Sequence, residues 1–149
     1  MVRAASSAPH PGALSYDFYG THQAGVITAA QDRLHFASFE VAPGMTRSDV
    51  IELLQDWTIA SAAMTEGKEI GQNGAGVANY DAPPEDTGEA VGLATSGLTI
   101  TFGFGPTLFV DSNGVDRFGI AAKQPSALKK LPHFPADDLN AVMSDGDLC

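Results

Sequence analysis

Four histidines are the residues of this sequence best suited to metal binding or acid–base chemistry, and their spacing limits what they can do. His10, His22, His35 and His133 lie far apart, and no pair has the short spacing of a metal site such as HxxxH. His35 stands beside Phe36 in a stretch with the composition of a strand. The sequence therefore favours a hydrogen-bonded structural histidine at this position over a metal ligand.

A second candidate group is a set of acids in one glycine-rich stretch, namely Asp81, Glu85, Asp86 and Glu89. Clustered carboxylates can bind calcium or transfer protons. These acids lack the DxDxDG spacing of a calcium-binding loop, so a solvated acidic loop is predicted.

Two glycines, Gly103 and Gly105, begin a pattern similar to a dinucleotide-binding loop. The third glycine of GxGxxG would fall at position 108, which is Leu108, and Pro106 interrupts the motif. Neither a phosphate-binding P-loop nor a GxSxG serine elbow occurs. These glycines are therefore predicted to serve strand-end geometry, and no residue is assigned a catalytic, cofactor-binding or metal-binding role.

One amphipathic helix is predicted after the Pro43-Gly44 turn. Thr46 can cap its first turn, Asp49 suits the positive end of the helix dipole, and Gly67 ends it. Apolar and small residues follow at spacings of three and four, as an amphipathic helix requires. These are Val50, Leu53, Leu54, Trp57, Ser61 and Met64.

Strands are predicted on both sides of this helix. Residues 34–41 carry apolar side chains on both faces, which predicts a central strand. Residues 98–104 alternate, with Leu98, Ile100, Phe102 and Phe104 on one face. The order strand, helix, strand predicts a βαβ unit in which the apolar side of the helix, including Trp57, covers this face.

The rest of the chain gives weaker signals. Residues 24–28 predict a short strand or extended segment, and residues 67–97 predict a long loop. Pro106 can open a helical turn, and residues 126–131 and 136–143 each predict a helical turn or two. Residues 147–149 resemble the start of a strand. These are few elements for 149 residues, so an incomplete domain is expected.

Composition excludes several classes of function. The formal net charge of −10 has no compensating basic stripe, which excludes nucleic acid and anionic membranes as partners. Cys149 is the only cysteine, so neither an intrachain disulfide nor a cysteine-rich metal site can form. No apolar run approaches the length of a membrane span. Residues 1–15 are expected to be a disordered leader without a complete signal peptide.

Several blocks, in order, resemble one known family. The stretch "FYGTHQAGV" at residues 18–26 is similar to the opening of the DyP-type, or dye-decolorising, haem peroxidases. Residues 34–41 resemble their first core strand, and "DVIELLQDWT" at residues 49–58 resembles the helix that follows. "DTGE" at residues 86–89 and "LTITFGFGPTLF" at residues 98–109 continue the match, which runs on through residues 118–125, 131–135 and 146–148.

The resemblance implies an α+β fold of the ferredoxin-like (dimeric α+β barrel) type. Residues 16–149 would be the incomplete N-terminal half, with a βαβ core, ending before the last strands of the domain. The longer protein, called the parent protein below, would reduce hydrogen peroxide and oxidise dyes or other organic donors. Its haem b, proximal His, distal Arg and GxxDG aspartate would lie beyond Cys149. Asp145-Gly146 is similar to the end of that motif, but position 142 is Val142, so Asp145 receives no catalytic role.

Two interpretations of different class remain. In the first, the chain is the N-terminal part of a haem peroxidase, inactive and without haem on its own, whose partner is the C-terminal half of the parent protein. In the second, it is a non-catalytic ferredoxin-like module for binding or oligomerisation. Assembly into a homo-oligomer stays open in both. Many family members are exported by a twin-Arg signal, which this sequence lacks, so the localisation is left open.

Overall fold

A computed structural model describes residues 14–76, 80–130, 132, 134–136, 138 and 145–149. The chain divides into two compact units, Met1–Gln31 with Asp56–Thr101, and Asp32–Gln55 with Phe102–Cys149. They are called the first and the second unit below. Most of the leader predicted for residues 1–15 and most of the helical turn predicted for 136–143 lie outside the described residues, as do His10 and His133.

Among the described residues there is one α-helix, α1, which spans Arg47–Thr65. At its start, the Thr46 amide donates to Asp49 Oδ2 over 2.7 Å, and the Asp49 amide donates back to Thr46 Oγ1 over 3.3 Å. At its end, Gly67 adopts a φ of 68°, while the Lys68 amide donates to the Ala63 carbonyl and the Gly67 amide to that of Met64. Such a pair of bonds with a left-handed glycine closes a helix. Both predicted helix ends are therefore confirmed.

Three extended segments meet in the second unit. Leu148 forms antiparallel bridges with Phe39 and with Phe104, so its segment lies between the other two. Within the described residues these are single bridges, so the strands predicted for residues 34–41 and from residue 147 stay predictions. The 34–41 segment has one bridged neighbour among the described residues, and Leu34 is 90% exposed and Phe36 68%.

Two short 3₁₀ helices follow in the second unit. The first, Pro106–Leu108, begins at the proline as the sequence predicts, and it buries Leu108. The second, Ala121–Lys123, was not predicted. Residues 126–130 are the described part of the segment in which a helical turn or two is predicted. They contain one hydrogen-bonded turn, in which the Leu128 amide donates to the Pro125 carbonyl.

The first unit contains the C-terminal part of α1 and long irregular segments. Described residues of the 67–97 loop form neither helix nor strand, in agreement with the sequence. Residues 24–28, predicted to be a strand or extended segment, instead form turns, with a hydrogen bond from the Val26 amide to the Gln23 carbonyl. Ala24 is buried, and its carbonyl accepts a 2.6 Å hydrogen bond from Thr101 Oγ1.

The predicted packing of α1 on the 98–104 face is only partly present. Leu54 of α1 and Phe104 line the same groove. Trp57 is half-buried, however, and both Met64 and Leu98 are exposed. Within the described residues, no helix is long and apolar enough to cross a membrane.

Candidate functional site

The most buried ionisable group of the second unit is the Asp147 carboxylate, whose side chain is 5% exposed. Its Oδ2 accepts a hydrogen bond from Arg117 Nη2 at 2.6 Å and another from the Val41 amide at 2.9 Å. Arg117 Nη1 donates to the Val41 carbonyl at 3.1 Å. These three groups, called the Asp147 clamp below, join three segments that are distant in sequence.

A β-bulge lies at the clamp. The amides of Asp147 and Leu148 both donate to the Phe39 carbonyl, so two residues oppose one. A bulge turns its side chains relative to the regular ladder, and here the Asp147 carboxylate reaches Val41 and Arg117. Because its charge is neutralised by a guanidinium and its Oδ2 already accepts two hydrogen bonds, the carboxylate is suited to holding the segment rather than to transferring protons.

An apolar groove of about 280 Å³ lies in the same unit. Arg117 connects it to the clamp, because the guanidinium carbon stands 4.9 Å from the ring centre of buried Phe118, which lines the groove. The lining residues come from α1 and from the region after the Phe104 bridge. They are Arg47, Val50, Ile51, Leu54, Phe104, Leu108, Phe109, Phe118 and Ile120.

None of these lining residues fits a haem-ligating role. Haem iron is held by His, Cys, Met or Tyr side chains, and the groove offers none of them. His22 and His35, the two histidines among the described residues, are exposed. Neither the groove nor these two histidines therefore offers an axial ligand in a closed pocket.

In the first unit, the acidic loop uses its carboxylates to bind its own backbone. Asp86 Oδ2 accepts from the Ile70 amide and Oδ1 from the Gly88 amide, and Glu85 accepts from the Asn73 amide. The hydrogen bond from Ile70, then that from Gly88, lowers the pKa of Asp86 below its ordinary value. The predicted acidic loop is present and solvated, but these two carboxylates are engaged in hydrogen bonds.

No metal centre is formed in the part of the chain that the structure describes, since no three His, Cys, Asp or Glu side chains come together there. Asp145 belongs to the Asp145-Gly146 pair that is similar to the end of the GxxDG motif. It forms an ion pair with Lys130 over 2.6 Å, in which Asp145 is half-buried and Lys130 is exposed.

Two further aspartates organise turns in the second unit. Asp116 accepts hydrogen bonds from the amides of Ala121, Ile120 and Phe118, and those from Ala121 and then Ile120 lower its pKa most. Asp111 accepts from the amides of Val115 and Asn113, with the same direction of pKa shift. Sequence reasoning missed both, although the Asp-Ser-Asn-Gly composition at residues 111–114 is typical of such turns.

Gly103 and Gly105 serve close packing of the backbone. A side chain at Gly103 would collide with Cys149 Sγ, and one at Gly105 would overlap the carbonyl oxygen of Gly146. Both positions therefore favour glycine, while the prediction that these glycines serve strand-end geometry stays a prediction. The Asp147 clamp, in contrast, was not predicted. The sequence did offer one indication of it, an aspartate next to Leu148 at the start of a predicted strand. An acid that is buried in such a position requires a partner of opposite charge or hydrogen-bond donors.

Comparisons with known proteins agree with this architecture. The family model described as "Dyp-type peroxidase, N-terminal" matches residues 23–149. Ferric DtpA from Streptomyces lividans is similar in structure, with a TM-score of 0.74 and 33% identity over 92% of this chain. A DyP-type peroxidase from Streptomyces coelicolor gives the same values. Deferrochelatase from Escherichia coli K12 is 34% identical over 146 residues, covering 93% of this chain.

The chain spans about a third of the length of these proteins, 32% in each case. The family match covers most of the chain, and the similar structures agree with the predicted α+β fold of the ferredoxin-like type. The chain therefore belongs to the DyP-type peroxidase family and corresponds to the N-terminal region of its members.

Proposed function

We propose that this chain is the N-terminal portion of a haem-dependent peroxidase that reduces hydrogen peroxide and oxidises dyes or other organic donors. The observation that carries the proposal is the match of residues 23–149 to the N-terminal model of the family, at a third of the relatives' length. The solved relatives include ferric and oxyferrous forms of DtpA, and this favours iron chemistry in the parent protein.

The part assigned to this chain is that of an incomplete ferredoxin-like half with a βαβ core. In support, the segments of Phe39 and Phe104 each run antiparallel to Leu148, so they are parallel to each other. The helix α1, Arg47–Thr65, lies between them in sequence. A crossover helix between parallel strands with a third strand inserted is a split βαβ unit.

Haem b and its protein ligands are assigned to the remainder of the parent protein, which is the partner of this chain. When bound, the haem would supply the peroxide chemistry. This chain would contribute packing surface, since its groove is apolar and lacks an iron ligand. We therefore expect the chain to be inactive alone. A non-catalytic module is the less favoured alternative, because the matched relatives include peroxidases over nearly the whole chain.

Reconstitution with hemin tests the proposal. This chain and the parent protein are titrated separately, and the Soret band, the haem stoichiometry and peroxide-dependent dye oxidation are measured. Because curated relatives are named deferrochelatases, release of iron is measured as well. One haem per parent protein with peroxide turnover is the expected result.

The same titration contains the outcome against the proposal. A parent protein that binds no haem would refute it. Stoichiometric haem in this chain alone, lost in the His35→Ala variant, would refute the assignment of the ligand to the remainder of the parent protein.

A further inference from the structure

The dipeptide Asn-Gly occurs twice in this chain, at Asn113-Gly114 and at Asn73-Gly74. Asparagine is one of the thermolabile residues of proteins. Its side-chain carbonyl carbon can be attacked by the backbone nitrogen of the next residue, and a glycine leaves that nitrogen unhindered because it has no Cβ. The two copies carry the same reactive groups, so a difference in their reactivity must come from the structure around them.

Asn113-Gly114 lies in an exposed turn of the second unit. Both residues are exposed, and a Cβ added at Gly114 would meet nothing within 4 Å. Asp111 holds the dipeptide, because its carbonyl accepts from the Gly114 amide over 3.0 Å and its Oδ1 from the Asn113 amide over 2.9 Å. Since these groups lie within three positions of one another, a local opening of the turn is enough to release the Gly114 nitrogen.

Asn73-Gly74 is held by residues that are more distant in sequence, and it is less accessible. The Asn73 amide donates to Glu85 Oε2 over 2.8 Å, and Asn73 Nδ2 donates to the same oxygen over 3.4 Å. Gly74 is buried, and its carbonyl accepts from the Asp86 amide over 3.1 Å. A Cβ added at Gly74 would overlap the Glu69 carboxylate. Release of this dipeptide therefore requires two stretches of the acidic loop to separate.

We propose that Asn113 is a site of spontaneous deamidation in the folded chain, and that the hydrogen bonds from Asn73 to Glu85 protect Asn73 from the same reaction. Carboxylates lie close to both dipeptides, so their repulsion of an anionic nitrogen does not distinguish the two. The reaction needs only base and water, and it is therefore independent of the haem chemistry assigned to the parent protein.

The reaction balances without an oxidant or a reductant. Base removes the proton of the Gly114 amide, and the nitrogen then bonds to the side-chain carbonyl carbon of Asn113 while the carboxamide nitrogen leaves as ammonia. One water molecule opens the resulting succinimide ring. Cleavage of the bond from the Gly114 nitrogen to the side-chain carbonyl carbon gives aspartate, and cleavage at the main-chain carbonyl carbon gives isoaspartate. In total, one water is consumed and one ammonia is released.

Either product changes the turn, because each places a carboxylate on residue 113. The hydrogen bond from the Val115 amide contributes most to the lowered pKa of Asp111, so the Asp111 carboxylate is ionised at neutral pH. Two neighbouring carboxylates repel each other. The turn should therefore loosen after deamidation, and with it the 2.8 Å hydrogen bond from the Val115 amide to Asp111 Oδ1.

Mass spectrometry of peptides measures deamidation at both positions in one sample. The folded chain and the chain unfolded in urea are incubated side by side in mildly alkaline buffer, and each conversion of an amide to an acid is assigned by fragmentation. In urea, Asn113 and Asn73 should convert at similar rates, because glycine follows both. In the folded chain, Asn113 should convert about 10-fold faster than Asn73, because its turn opens more readily. Equal rates in the folded chain, faster conversion of Asn73, or no conversion of Asn113 would overturn the proposal.

The variant Glu85→Ala tests the protection of Asn73. Loss of the acceptor should accelerate the conversion of Asn73 in the folded chain about 5-fold or more and leave the rate at Asn113 unchanged. Glu89→Ala, at an exposed acid of the same loop, is the matched control and should change neither rate. An unchanged rate at Asn73 in Glu85→Ala would show that Glu85 does not protect it and would overturn that half of the proposal.

Hydrogen exchange measures the effect of the modification on the turn. Asn113→Asp has the sequence of the aspartate product, and its Val115 amide should exchange about 5-fold faster than in the unsubstituted chain, because of the repulsion from Asp111. Asn113→Gln is the neutral control, in which this amide should exchange nearly as in the unsubstituted chain. Equal exchange in Asn113→Asp and Asn113→Gln would overturn the predicted loosening of the turn.

Discussion

In the second unit, the Asp147 carboxylate joins a backbone amide 106 positions away in sequence, whereas in the first unit Asp86 and Glu85 reach amides 2 to 16 positions away. Asp147 is buried with a guanidinium beside it, whereas Asp86 is only half-buried. The same chemical group therefore holds distant segments together in one unit and closes a local loop in the other.

This difference determines how much each carboxylate should contribute to the free energy of unfolding. A buried charge that loses its partner stays desolvated, so long-range pairs of this kind are costly to break. When a carboxylate near the surface is removed, water can take its place as the acceptor for the backbone amide, so the loss of stability is small. We therefore expect large effects at the Leu148 and Asp147 positions and small ones in the acidic loop.

The largest effect is expected for Leu148→Ala. The Leu148 side chain is 2% exposed and lies at the centre of the three-segment ladder. Truncation should reduce the free energy of unfolding by about 3–4 kcal/mol, through lost burial and a residual cavity. Urea unfolding followed by circular dichroism measures the change. Leu34→Ala, at a 90% exposed leucine, is the matched control and should have almost no effect. Equal losses in the two variants would contradict a core centred on Leu148.

Asp147→Ala should have the next largest effect. It removes the acceptor of the Val41 amide and leaves Arg117, which is 28% exposed, without its counter-ion. A loss of about 2–3 kcal/mol in unfolding free energy is expected, somewhat below that of a fully buried pair because Arg117 is partly solvated.

Asp145→Ala is the control for Asp147→Ala. Its partner Lys130 is 66% exposed, so this ion pair should contribute less than about 1 kcal/mol. Asp145 itself is 22% exposed, so if the two variants were equally stable, the proposed difference between a buried carboxylate and a partly exposed one would be wrong.

Local patterns predicted much of the fold. Thr46, Asp49 and Gly67 fixed both ends of α1, and Pro106 marked a helical turn, because each of these residues acts on backbone groups within a few positions. Asp111 and Asp116 belong to the same class and were missed only because their turn composition was not considered.

Order in the sheet could not be predicted in this way. Apolar residues on both faces of 34–41 predict a central strand, but they did not indicate that its bridged neighbour would be Leu148, more than 100 residues later. Periodicity reports which side chains can be buried, not which strand is the neighbour. The pairing of Arg117 with Asp147 is likewise a long-range contact that no local spacing encodes.

Gly67→Ala should reduce the free energy of unfolding moderately. It tests a short-range interaction, the closure of α1 at its C-terminal end. The φ of 68° at this helix end is unfavourable for alanine, and its Cβ would lie 3.1 Å from Thr95 Cγ2. We expect a loss of about 1–2 kcal/mol in unfolding free energy. Gly92→Ala, with a φ of 79° and nothing within 4 Å of the added Cβ, is the control and should lose less. A larger loss at Gly92 would show that the helix cap contributes little.

The smallest effect is expected from Asp86→Asn, and it should depend on pH. Hydrogen bonds from the Ile70 and Gly88 amides lower the pKa of Asp86 below 3.8 in the folded chain. The ionised form is therefore favoured by folding, and its stabilising contribution is present above the ordinary pKa and lost as the pH falls through the lowered one. Asp86→Asn should be slightly less stable than the unsubstituted chain at pH 7, and the difference should disappear as the pH falls through the lowered pKa. Urea unfolding along a series of falling pH values measures it, and a carbon-13 titration of the Asp86 carboxyl should give a pKa below the ordinary value. Glu89→Gln changes an exposed carboxylate of the same loop and is the control at pH 7, where it should leave the free energy of unfolding nearly unchanged. The free energies of unfolding of Asp86→Asn and of the unsubstituted chain could instead differ more as the pH falls. That result would contradict the expected pH dependence and would show that the Asp86 carboxylate does not close this loop.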